Sequence, residues 1–78
     1  MKLEEMDIAP EIKAQAAELV RRVEQSDGLL ELATAGGVTE GFLIGLGFLG
    51  TLRPRDIDAL DNLFNQAMER KMAEARKQ

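Results

Sequence analysis

Apolar residues recur at helical spacing in two long stretches of the chain and crowd together in a third stretch between them. From Pro10, the positions Ile12, Ala16, Leu19, Val20 and Val23 fall three or four apart, while Lys13, Glu18, Arg21, Arg22 and Glu24 occupy the other side. That pattern predicts an amphipathic helix over 10–25 with one buried stripe. Pro10 suits its first turn, where a missing N–H has no intrahelical acceptor to lose. Glu11 near the start and Arg21 and Arg22 near the end agree with the helix dipole, and Glu18 lies four residues before Arg22.

Ser26-Asp27-Gly28 reads as a break. Leu29-Leu30-Glu31-Leu32-Ala33-Thr34-Ala35 then predicts a short helix over 28–35, stopped by Gly36-Gly37. Thr39 can cap a further helix over 39–50, with Glu40 in its positive first turn. Within that helix, Gly41, Gly45, Gly47 and Gly50 interrupt Phe42, Leu43, Ile44, Leu46, Phe48 and Leu49. Each interior glycine costs about 1 kcal/mol relative to alanine, so close backbone packing is the expected compensation.

At about 100° per residue, Phe42, Leu46 and Leu49 share one stripe, and Ile44 and Phe48 lie nearly opposite. This predicts a central helix buried from more than one side. A strand is the other reading of the segment, but no second run could pair with it, and a lone strand leaves its backbone groups unpaired.

The last stretch opens at Pro54 and carries Asp56, Asp58 and Asp61 early and Arg70, Lys71, Arg76 and Lys77 late. Ile57, Leu60, Leu63, Phe64, Ala67, Met68 and Met72 form its apolar stripe, predicting a helix over 54–75. Residues 1–9 form a lead-in in which Leu3, Met6 and Ile8 pack loosely, and 76–78 a frayed tail. The expected fold is a single all-α domain over 1–78. It is a small bundle of three to four helices around the glycine-rich apolar one, completed by dimerisation.

Length and composition sharpen this expectation. A domain of 78 residues buries only roughly 60–65% of the surface its unfolded chain exposes, so its core is thin. With no cysteine to cross-link it, oligomerisation is the remaining stabiliser. The absence of both Cys and His removes the usual zinc, iron and copper ligands, the thiol nucleophile and the neutral-pH titrant. A net charge of −4 and a pI near 4.7 argue against nucleic acid and suit a protein partner with a basic surface.

Acidic residues stand where a signal peptide carries its apolar run. The apolar stretch Phe42–Leu52 is shorter than the ~20 residues of a membrane-spanning helix. The expectations are a cytoplasmic protein and no membrane partner.

No motif names a chemistry. Asp56, Asp58 and Asp61 supply oxygens of the kind Mg²⁺ or Ca²⁺ takes, but ordinary helix-start chemistry explains them more simply, so no metal is expected. Ala35-Gly36-Gly37-Val38-Thr39-Glu40-Gly41 is a glycine-rich turn of the kind that cradles phosphate, yet it lacks the lysine and puts Glu40 where an anion would sit. Residues 28–50 imitate a helix-turn-helix, but Phe42 to Leu49 offers no polar side chain to a base edge.

Ser26, three threonines, four lysines and the carboxylates form no nucleophile-and-base spacing, and no catalytic residue or cofactor is assigned. Met68 and Met72, one turn apart beside Phe64, are either the end of the core stripe or an adaptable partner surface.

The expected function is therefore non-catalytic: a small regulator or inhibitor that docks stoichiometrically on a partner protein and forms a homodimer. Phe42, Ile44, Gly45, Leu46, Phe48, Leu49, Phe64, Met68 and Met72 are its expected partner or dimer interface. The alternative is a protein that binds a small ligand, a nucleotide or a lipid, with the Gly36-Gly37 turn and the third helix. Size and composition also resemble those of phage and mobile-element accessory proteins, an analogy that no motif supports.

Overall fold

In the computed structural model, which describes residues 2–76, the chain forms three helices: α1 over Pro10–Gln25, α2 over Leu29–Leu49 and α3 over Pro54–Arg76. A short 3₁₀ turn, Leu3–Glu5, precedes them. Residues 77 and 78 of the expected tail lie outside the described residues. The proline-led starts of α1 and α3 fall where the sequence places them.

The largest departure from the sequence reading is α2. The two helices expected over 28–35 and 39–50 are one continuous helix of 21 residues, and Gly36 and Gly37 lie inside it. A stop at this pair requires a left-handed residue, yet among the described residues the positive-φ glycines are Gly28 and Gly50 alone. The apolar stripe shows why the helix continues. Leu32, Ala35, Thr39 and Leu46 are all buried and keep helical phase straight through the glycines. Ending the helix would cost a second nucleation and put that stripe out of register with α1 and α3. Thr39 is consequently no cap: its hydroxyl donates to the Gly36 carbonyl at 2.7 Å, a bond within the same helix.

The ends of α2 do have glycine chemistry. Gly28 precedes it at φ 90° and ψ 168°, a region essentially closed to other residues, and Gly50 ends it in the left-handed conformation with its N–H on the Gly47 carbonyl at 3.2 Å. The Asp27 N–H donates to Glu31 Oε2 at 2.6 Å, which ties the entry turn to the first turn of the helix. Gly28→Ala is expected to lower stability by about 1–3 kcal/mol in urea titration. An unchanged midpoint would show that this backbone conformation is not maintained in solution.

Two packed clusters fix the arrangement. Val23 at the end of α1 meets Leu32 and Ala35 at the start of α2 and Ala67 late in α3. Ala16 and Leu19 in mid-α1 meet Leu46 near the end of α2 and Leu60 and Phe64 in the first half of α3. Successive helices therefore run antiparallel, as their short connections over 26–28 and 50–53 require.

Met6 is buried in the second of these clusters, so the lead-in is packed more firmly than expected. Lys13 Nζ donates to the Glu4 carbonyl at 3.1 Å and holds it there. Among the charges, Glu18 pairs with Arg21 rather than Arg22.

Candidate docking face

Burying Leu32, Ala35, Thr39 and Leu46 points one side of α2 inward, and the helix period fixes what lies on the other. Leu30, Gly37, Gly41, Ile44 and Phe48 fall within about 40° of one line along the outer surface, with Ala33, Thr34 and Gly45 at its margins. The line runs about 27 Å and carries no charge; Glu31 and Glu40 stand to either side of it. Its large residues are strongly exposed: Leu30 is 83% exposed, Ile44 66% and Phe48 91%. Isolated exposed apolar residues are ordinary, but an uncharged row along a whole helix is not.

The glycines divide in the same way. A Cβ at Gly36 would come within 2.7 Å of Met68 Cε, so the end of that side chain would have to shift, whereas one at Gly47 would make an ordinary contact at 3.6 Å from Ile57 Cδ1. At Gly37, Gly41 and Gly45 an added Cβ meets nothing within 4 Å. These three, spaced four apart, carry the helix cost of glycine with no compensating contact from this chain.

The nine residues expected at an interface therefore separate. Phe64 and Leu46 are core residues, and Phe42 packs against them with its ring edge-to-face on Phe64 at 6.2 Å. Met68 packs on the Val23–Leu32 cluster, and Met72 is partly exposed further along α3. Ile44, Phe48 and Leu49 face solvent, with Gly45 half-buried beside them. Of the two opposed stripes read from sequence, this chain covers Phe42 and Leu46 of one but not Leu49, which is 71% exposed at the last residue of α2, and it leaves Ile44 and Phe48 of the other bare. Leu30, Gly37 and Gly41 belong to the outer stripe and were not expected there. Reading the small residues Ala33, Gly37, Gly41 and Gly45 as one four-residue repeat would have revealed them, had the helix not been broken at Gly36.

Other candidate chemistry is dispersed by the fold. With Gly36-Gly37 inside a helix there is no turn to cradle a phosphate, because the backbone N–H groups belong to the helical ladder. Asp56 is buried and accepts a 2.8 Å bond from Arg53 Nε, whereas Asp58 and Asp61 are exposed. That bond, followed by the charge of Asp56, raises the pKa of the Arg53 guanidinium. Among the described residues no group of three acidic side chains is placed to hold a metal ion.

Ser26 Oγ donates to the Val23 carbonyl at 2.6 Å, and Thr34 Oγ1 to the Leu30 carbonyl at 3.0 Å. Both hydroxyls serve the backbone. A groove of about 650 Å³ lies between α1 and α3 and is lined by Ala17, Val20, Leu63 and Arg70 with the lead-in.

The continuity of α2 also revises the membrane estimate made from sequence. Among the described residues it is one helix long and apolar enough to cross a membrane, with a mean hydropathy of 1.5 over its best window. A core helix passes the same test, and the inner stripe of α2 is packed on α1 and α3. The chain matches no protein-family model, no curated protein and no solved structure.

Proposed function

We propose that the protein is a non-catalytic docking module, a small regulator or inhibitor whose protein-binding surface, for a partner protein or for its own second copy, is the outer face of α2. The observation that carries this reading is the uncharged row Leu30–Gly37–Gly41–Ile44–Phe48. It offers large side chains as anchors and a glycine floor on which a partner helix can lie close. Hydroxyls engaged with their own backbone and the scatter of the carboxylates support the non-catalytic part.

The test compares the full chain with Phe48→Asp and Ile44→Asp as baits in the organism that makes it, with quantitative mass spectrometry. Both residues are exposed, so both variants should keep the helical circular dichroism of the parent. The expected result is that the same stoichiometric partner, including the chain itself, is lost with both variants. Unchanged partners with both variants would exclude this face.

A further inference from the structure

We infer that the occupant of the outer α2 face is a second copy of this chain, lying antiparallel across it with the two-fold axis near Gly41. This deepens the docking reading above and rests on it. The first ground is the distribution of bulk. Beyond Leu30 at its first turn, small residues, Ala33, Thr34, Gly37 and Gly41, fill the N-terminal half of the face, and large ones, Ile44 and Phe48, with Gly45 at the margin, the C-terminal half.

An antiparallel partner sets each large half on the other chain's small half. Ile44, three residues after Gly41, comes against Gly37 of the second copy, four residues before it, and Phe48 comes over Thr34 and Ala33. A parallel partner would set Phe48 on Phe48, holding the helices apart and leaving the glycines over a gap. The open space at Gly37, Gly41 and Gly45 is what close approach of a second backbone needs.

The second ground is charge, and it is independent of the first. Exposed Asp27 and Glu31 stand at the N-terminal end of α2, and exposed Arg55 just beyond its C-terminal end, next to Arg53, whose charge is already paired with Asp56. Antiparallel docking brings the acidic end of one copy to the basic end of the other at both edges of the contact, whereas parallel docking brings like to like. The helix dipoles oppose each other favourably in the same arrangement. Glu40 lies about 100° around the helix from Gly41, so it stays in solvent at the rim.

Sedimentation equilibrium of the intact chain at micromolar concentrations is expected to give a dimer. Phe48→Asp should weaken that dimer by at least about thirtyfold. Orientation is read with single cysteines in a chain that has none of its own. Gly37→Cys and Ile44→Cys, differently tagged, mixed and oxidised, should give only the mixed disulfide.

Self-linked products without the mixed one would overturn the antiparallel arrangement, and a monomer would overturn the second copy altogether. An apolar dye and vesicles of phosphatidylcholine with phosphatidylglycerol distinguish the failures. A monomer whose Phe48-dependent dye binding persists keeps the docking reading with another protein as occupant. A monomer that instead sediments with the vesicles transfers the face to lipid, and one that binds neither removes the docking reading as well.

Discussion

Phe64→Ala is expected to lose about 3–5 kcal/mol of unfolding free energy, whereas Phe48→Ala, measured below the concentration of self-association, should change it by less than about 0.5 kcal/mol. The two side chains are chemically identical and lie at opposite extremes of exposure, 1% against 91%. The Phe64 ring fills the junction of Ala16, Leu19, Leu46 and Leu60, with the Phe42 ring set edge-on against it. Truncation therefore leaves a cavity where all three helices meet. A chain of this length is stable by only about 4–12 kcal/mol, so the loss takes a large share of the whole. Urea denaturation of the two variants gives the comparison directly. Similar losses for both would mean that Phe64 does not fill the junction of the three helices.

The same contrast shows what was legible in the sequence. Pro10 and Pro54 mark their helix starts because a fixed φ and a missing N–H are acceptable there and costly further in. The opposition of Ile44 and Phe48 to Phe42 and Leu46 follows from the helix period alone, and burial agrees with it. What failed was the stop at Gly36-Gly37. Glycine propensity is a local cost of about 1 kcal/mol per residue, and the stripe Leu32, Ala35, Thr39, Leu46 spans the pair and outweighs it by tertiary burial. Breaking the helix there also lost the phase between its halves. Leu30 and Gly37 could then not be joined to Ile44 and Phe48, and half of the docking face was hidden. The length that makes α2 comparable to a membrane span was missed for the same reason.

Those glycines carry the second large effect. The triple variant Gly37→Ala, Gly41→Ala, Gly45→Ala is expected to stabilise the isolated chain by roughly 2–3 kcal/mol. Each position is helical, none has positive φ, and an added Cβ meets nothing within 4 Å at any of them. No steric term therefore opposes the gain from lower unfolded-state entropy. For a domain of this size the thermal midpoint should rise by roughly 10–20 °C in dilute solution.

Self-association should move the other way. Three methyl groups on the floor of the face hold a second helix off, so the variant is expected to be the more stable fold and the weaker dimer. Opposite signs in the two measurements separate this from a general effect of helix propensity, which would strengthen the fold and leave association unchanged. If stability does not rise in dilute solution, the free chain does not hold α2 continuous through residues 37–45. The outer face would then form only when a partner binds.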